Sequence, residues 1–376
     1  MFNRLRDLEQ PLAPYSVCNL AAVNLAKFAD KENKVVDFEK LKRTVEVGVR
    51  IQDNVIDATP YFLEENKKQA LGERRVGLGV MGLADLLIYC EKEYGSKEGN
   101  QLVDEVFEVI ATTAYRASIE LAKERGSFPF MEDQDGRGNR EKFIQTGYME
   151  KMPESIREGV LNHGIRNSHL LTVAPTGSTG TMAGVSTGLE PYFSFTYFRS
   201  GRLGKFIEVK AAIVQEYLER NPDADPDNLP KWFVSSMQLS PEAHADTQCV
   251  IQNWIDSSLS KTVNAPKGYT VEEVQEVYER LYRGGAKGGT VYVDGSRDQQ
   301  VLTLTKDEQK QEQQELLPKE ESKVYVLDTI HDLQSTNVKI GSEVGETCPV
   351  CRKGTVKDIG GCNTCTNCGA QLKCGL

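Results

Sequence analysis

The strongest constraint in this chain lies at its C-terminal end, where cysteines crowd together. Six of the nine, Cys348, Cys351, Cys362, Cys365, Cys368 and Cys374, fall within the last 29 of 376 residues. Their spacing reads CxxC, ten residues, CxxCxxC, five residues, C. Tetrahedral Zn²⁺ needs four thiolates converging at about 2.3 Å, and two CxxC knuckles on tight turns deliver them without a large core. Cys348 with Cys351 and Cys365 with Cys368 are the better knuckles, because Gly369 lets the second turn aim backbone amides at sulfur. Cys362 and Cys374 are then left over. Either they are inert on a structural zinc ribbon, or they form a mobile dithiol that exchanges with a disulfide elsewhere, or zinc recruits Cys362 in place of a knuckle cysteine. Such clustering suits a reducing compartment, where static disulfide frameworks are rare.

Composition removes other classes. The length allows one large domain with appendages or two modest ones. Hydrophobic residues at 39% and charged residues at 27% argue against disordered and collagen-like chains. No stretch approaches about eighteen uninterrupted apolar residues, and the opening MFNRLRDLEQ lacks a signal peptide's apolar core, so the expectation is a cytoplasmic protein without membrane contact. A net charge of −10, from 45 basic and 55 acidic residues, argues against nucleic-acid polymers but leaves room for a local site for a small phosphate ester.

From Cys18 to about Asp298 helical stretches alternate with short apolar runs, the rhythm of α/β structure. LLTVA (170–174) is a buried-strand candidate that runs into a Gly- and hydroxyl-rich turn, Pro175-Thr176-Gly177-Ser178-Thr179-Gly180-Thr181. Successive amides of such a turn can form an anion-binding nest, although the Lys of a Walker loop is missing and a plain turn is the simpler alternative. Thr270 and Glu273 fit a capping box ahead of a helix with Val271, Val274, Val277, Tyr278 and Leu281 on one face, followed by a TVYV strand (290–293). Gly77, Gly79 and Gly82 match GxGxxG, but the preceding ENKKQALGERR is helical and charged where a dinucleotide site needs a strand, so close packing is the expected role. The segment TKDEQKQEQQELLPKEES (305–322) reads as a solvated linker. Cys18, Cys90 and Cys249, Glu9, and His163, His169, His244 and His331 show no spacing that by itself exceeds a structural or surface role.

Together, EQPLAPYSVCNLAAVNLAKF (9–28), DNVID (53–57), GLGVMGLADLL (77–87), RNSHLLTVAPTGSTGTMAGVSTGLEPYFSFTYFR (166–199), KTVNAP (261–266), GGTVYVDGSRDQQVL (288–302) and the cysteine tail resemble one family in order. It is the C-terminal part of class II, adenosylcobalamin-dependent ribonucleotide reductases. The resemblance implies radical-based reduction of a ribonucleoside di- or triphosphate, with Cys18 as one member of the reducing pair and Glu9 as the carboxylate that takes the 3′-hydroxyl proton. It implies that Pro175, Thr176, Gly177, Ser178 and Thr179 hold substrate phosphate. Zinc would sit on Cys348, Cys351, Cys365 and Cys368, while Cys362 and Cys374 pass reducing equivalents from a thioredoxin-like reductant. The expected layout is the C-terminal half of a ten-stranded α/β barrel over 1–304, a charged linker over 305–347 and the zinc tail over 348–376.

One departure is chemical. The family carries Asn-x-Cys-x-Glu with the radical on Cys, whereas counting back from Glu9 finds Leu5 and Asp7. A carboxylate cannot abstract a hydrogen atom as a thiyl radical does. The expectation is therefore one piece of a two-chain enzyme whose partner, an N-terminal half, supplies the radical cysteine; the alternative is a non-catalytic or regulatory zinc chain that binds that half. Half a closed barrel leaves strand edges unpaired, which favours association.

Overall fold

A computed structural model of the chain describes residues 12–17, 19–131, 140–200, 206–296, 343–359, 362–368 and 370–374. Glu9, Cys18 and linker positions 305–342 lie outside the described residues. The chain divides into two units, 1–314 and 315–376.

In the first unit β1 (Leu20–Asn24) is followed by a short antiparallel hairpin of β2 (Ala29–Asp30) and β3 (Val35–Val36). Helix α1 (Phe38–Ala58) begins at Asp37, whose carboxylate accepts from the Lys40 amide at 2.9 Å. Its buried Leu41, Val45, Val49, Gln52, Asp53 and Ile56 recur every three or four residues, a single stripe turned to the core. Helix α2 (Glu64–Glu73) stops where Arg74 enters the left-handed region at φ 44°. The chain then returns as β4 (Gly77–Met81), parallel to β1 with Leu20 opposite Gly77 and Asn24 opposite Met81. All five β4 residues are buried, as expected of a parallel strand covered on both faces.

Helices α3 (Leu83–Tyr89), α4 (Lys97–Arg125), α5 (Arg140–Ile144) and α6 (Glu154–His163) lead to the predicted strand at 170–174. It makes parallel bridges on both sides, Leu171 with Leu78 and Val173 with Leu259. After α7 (Gly177–Ala183) come a hairpin of β5 (Thr196–Ser200) with β6 (Phe206–Lys210), then α8 (Ala212–Arg220) and α9 (Pro241–Gln252). Strand β7 (Thr262–Ala265), α10 (Val271–Arg283) and β8 (Thr290–Val293) complete the unit, with β8 parallel to β7. The reciprocal capping box of Thr270 and Glu273 forms as predicted.

Among the described residues the parallel segments thus follow one another in space as β1, β4, 170–174, 259–265 and β8, joined by helical crossovers. The mixed α/β class agrees with expectation, while the strands among the described residues do not close into a barrel. The GxGxxG glycines serve packing. A Cβ at Gly79 would lie 2.4 Å from the Thr172 carbonyl oxygen, and Gly82, at φ +76°, turns the chain from β4 into α3. No helix among the described residues is long and apolar enough to cross a membrane.

The second unit carries an antiparallel meander of β9 (Val356–Ile359), β10 (Cys362–Cys365) and β11 (Gln371–Cys374), with β10 in the middle.

Candidate functional site

The turn expected from Pro175 to Thr181 is shorter than predicted. Thr176, at φ 51°, reverses the chain, and Gly177 already begins α7. One left-handed residue suffices because the Gly188 amide donates to Thr176 Oγ1 at 2.8 Å and fixes it. Ser178 and Thr179 are exposed, and a Cβ on Gly177 would meet nothing within 4 Å, so the start of α7 is open. The first amides of a helix have no intrahelical acceptor, which makes this end receptive to an anion. Pro175, Thr176, Gly177, Ser178 and Thr179 therefore stand together where the 170–174 segment ends.

The segment behind this turn is held from several sides. Gly82 N donates to the Ser186 carbonyl at 2.8 Å, Ser186 N donates to Asp85 at 2.7 Å, and Tyr94 donates to the Leu189 carbonyl at 2.6 Å. Burial pushes the Asp85 carboxyl above its ordinary range, opposed by hydrogen bonds from Ser186 and Tyr192. Close by, the ammonium of fully buried Lys261 donates to Glu190 Oε2 at 2.7 Å and to His244 Nδ1 at 2.9 Å. Sequence reasoning missed this cluster and took His244 as merely structural. The available signal was a lysine at the head of the apolar run that becomes β7.

A second charged node braces the crossover helices. Fully buried Asp53 accepts from Arg74 Nε at 2.9 Å and Asn167 Nδ2 at 3.1 Å, with Arg125 and Arg166 each at 3.3 Å. Arg74 also forks onto Asp57 at 2.8 and 2.9 Å, holding that carboxyl below its usual range. Asp53 and Asp57 belong to the DNVID run, to which no role had been assigned.

In the second unit the sulfurs of Cys348, Cys351, Cys365 and Cys368 all lie within 4.8 Å of one another. Cys348 Sγ is 3.8 Å from Cys368 Sγ, and Cys351 Sγ is 3.6 Å from Cys365 Sγ. A tetrahedron with 2.3 Å metal–sulfur bonds has edges of about 3.8 Å, so the four sulfurs fit a zinc-sized ion. Backbone amides point at them as the knuckle geometry requires: Val350 N to Cys348 and Gly354 N to Cys351 at 3.4 Å, Asn367 N to Cys365 at 3.3 Å. Hydrogen bonds from backbone amides, those of Lys353 and Gly354 foremost, lower the Cys351 thiol to about 6. Cys362 and Cys374 stand opposite each other in the β10–β11 ladder. Antiparallel partners have Cα atoms about 4.5–5.5 Å apart, within the span of a disulfide. By contrast, burial pushes the thiols of Cys90 and Cys249 up to about 11, which leaves them inert at neutral pH.

Residues 8–292 match the family model for the ribonucleotide reductase barrel domain. A vitamin B12-dependent ribonucleoside-diphosphate reductase of Thermoplasma acidophilum is 33% identical over 361 residues, covering 91% of this chain and 43% of that protein. A protein of the same description from Mycobacterium tuberculosis is 33% identical over 314 residues, covering 78% of this chain and 42% of its own length. The ribonucleoside-diphosphate reductase subunit alpha of Chlamydia pneumoniae is 29% identical over 309 residues, covering 72% and 29%. The chain thus spans less than half the length of these curated relatives.

Proposed function

The chain belongs to the ribonucleotide reductase barrel family, and from that membership we propose that it contributes to adenosylcobalamin-dependent reduction of ribonucleoside diphosphates. The observation that carries the cobalamin assignment is coverage. The B12-dependent relative from Thermoplasma aligns with 91% of the chain, the Chlamydia alpha subunit with 72%.

Within this reading the open start of α7, with Thr176, Ser178 and Thr179, binds the substrate diphosphate through backbone amides and hydroxyls, which add donors without adding charge. Glu9 takes the proton of the substrate 3′-hydroxyl. Cys18 and a second thiol give two electrons and two protons and close a disulfide, while the 2′ C–O bond breaks, its hydroxyl leaves as water and a C–H bond takes its place. A thiolate of Cys362 or Cys374 attacks that disulfide, the other resolves the mixed disulfide, and a thioredoxin-like dithiol reduces the pair in turn, so each turnover moves two electrons and two protons. Cys348, Cys351, Cys365 and Cys368 hold zinc, which fixes the two knuckles.

For adenosylcobalamin the fit to this chain is incomplete, because Asp7 occupies the position of the radical thiol. When bound, the cofactor supplies the initiating radical. The radical thiol would come from outside this sequence, and the arrangement tested is one in which an N-terminal partner chain provides it. Mixing the purified chain with that partner, adenosylcobalamin, a ribonucleoside diphosphate and a dithiol should yield deoxyribonucleotide, lost on Cys18→Ser. The Asp7 substitution also supports a second reading, a zinc-bearing regulatory chain; assembly with the partner without any product in this mixture would establish that instead.

A further inference from the structure

We infer that a cavity at the ends of α1 and α2, beside the starts of β1 and β4, is a binding site for a short aliphatic carboxylate, held by the guanidinium of Arg75. The inference is independent of the reduction chemistry proposed above. The cavity measures about 170 Å³, with Val17, Val55, Ile56 and Ala70 on its apolar wall and Glu73 and Arg75 on its charged one. Arg75 is only 8% exposed. Its hydrogen bond from Nε to Glu73 Oε2 is long, at 3.4 Å. Nη1 is buried with no partner, and among the described residues none engages Nη2. Two terminal nitrogens left unpaired side by side form the fork that a carboxylate fills with two parallel bonds.

The other polar side chains on the wall turn their donors to the backbone. Asn19 Nδ2 donates to the Gln52 carbonyl at 2.8 Å, Thr59 Oγ1 to the Val55 carbonyl at 2.6 Å and the Tyr61 hydroxyl to the Ile56 carbonyl at 3.0 Å. Glu73 Oε1 accepts from Ser16 Oγ. Arg75 is therefore the group that remains to face a ligand. Leaving a buried cationic donor unpaired is costly, and water offers a weak remedy here, because apolar walls give it few further partners. A cavity of about 150 Å³ holds a benzene-sized molecule, and butyrate is of like size. With the ligand bound, Arg75 would stand between two acids, as its neighbour Arg74 already stands between Asp53 and Asp57.

The test titrates sodium butyrate into the full chain and follows it by ligand-observed NMR, with sodium chloride holding the ionic strength and melting curves as a folding control. The unmodified chain should bind butyrate saturably and melt at a higher temperature in its presence. Arg75→Met, which keeps the stem and removes the fork, should weaken binding about tenfold or more. Arg75→Lys keeps the charge but loses the paired donors, and should weaken it as well. Butylammonium, alike in shape and opposite in charge, should not bind, and inorganic phosphate, which lacks the apolar tail, should bind less tightly than butyrate. No saturable binding by the unmodified chain, equal binding of butylammonium, or Arg75→Met binding like the parent would overturn the site. Tighter binding of phosphate would overturn the carboxylate assignment. Should Arg75→Met fail to fold, Arg75→Lys decides, since butyrate binding unchanged in that variant would mean that the fork plays no part.

Discussion

The metal tail gives the sharpest quantitative expectation. Its buried interior is Cys348, Val356 and Cys365, with Cys351, Ala370 and Leu372 half-buried around them. Among the described residues Val356 and Leu372 are the only sizeable apolar side chains there, each worth about 1.5–3 kcal/mol on full burial. A structural zinc site supplies about 10–16 kcal/mol in comparable small domains, so on the proposed function sulfur ligation would dominate the stability of this unit. Cys365→Ser removes one of four thiolates from a cluster whose sulfurs lie within 4.8 Å. The variant should purify with well under one zinc per chain and lose protease resistance over 343–374. Cys362→Ser and Cys374→Ser should each retain one zinc and that resistance while losing thioredoxin-driven turnover in the reconstituted enzyme. Zinc is read with a colorimetric chelator after thiol modification, resistance by limited trypsin digestion. Release of zinc on changing Cys362, or an intact tail after the metal has been stripped, refutes the ligand assignment.

Three further outcomes follow from the first unit. Asp53→Asn keeps the shape but removes the charge that faces Arg74, Arg125 and Arg166; urea unfolding should show a loss of about 3–5 kcal/mol, and a loss below 1 would mean the node is dispensable. Burial, reinforced by Lys261, lowers His244 from 6.5 to about 3. The unfolded chain therefore binds more protons between those values, and stability should fall as the pH drops below 6.5, by about 2 kcal/mol at pH 5. His244→Asn should flatten that part of the profile. Gly79→Ala forces a Cβ to 2.4 Å from the Thr172 carbonyl oxygen; the melting temperature should fall by the equivalent of about 1–3 kcal/mol, and an unchanged melt would show that β4 and the 170–174 segment are not held at this spacing.

What could be read from the sequence was whatever is encoded locally. The two CxxC knuckles carry their geometry in their spacing and their sulfurs cluster, and the helix after Thr270 forms with its cap and with Val277 and Leu281 buried, although Val271, expected on the same face, is exposed in the first turn. The glycine-rich turn was predicted too long, because Gly, Ser and Thr favour irregular backbone while the bond that lets α7 start at Gly177 comes from Gly188, twelve residues downstream of Thr176. Glu190, His244 and Lys261 come from a loop, a helix and the entry to a strand, and no spacing links them. In the sequence Asp53 stood out only as part of the DNVID run, with no structural role. Its partners Arg74, Asn167 and Arg166 stand on segments that meet it only in the folded chain.

On the proposed function, the backbone places Cys362 and Cys374 in a cross-strand pair apart from the four clustered cysteines, which bears on how one small meander would both hold zinc and exchange disulfides. Amide-to-sulfur bonds spread the thiolate charge of Cys351 and Cys365 and favour the ionised form, which suits a metal ligand. The same stabilisation lowers nucleophilicity, so these sulfurs are poor choices for attacking a disulfide. In β10, Cys365 is opposite Val356 of β9, whereas Cys362 is opposite Cys374 of β11. Three residues along a strand is about 10 Å, far enough for one pair to open and close without disturbing the knuckles. On the proposed function, oxidising and then reducing Cys362 and Cys374 should leave zinc content unchanged throughout the cycle. Metal loss in step with oxidation would mean that ligand and exchange sulfurs are shared, and the tail would then act as a zinc-linked redox sensor rather than a carrier of reducing equivalents.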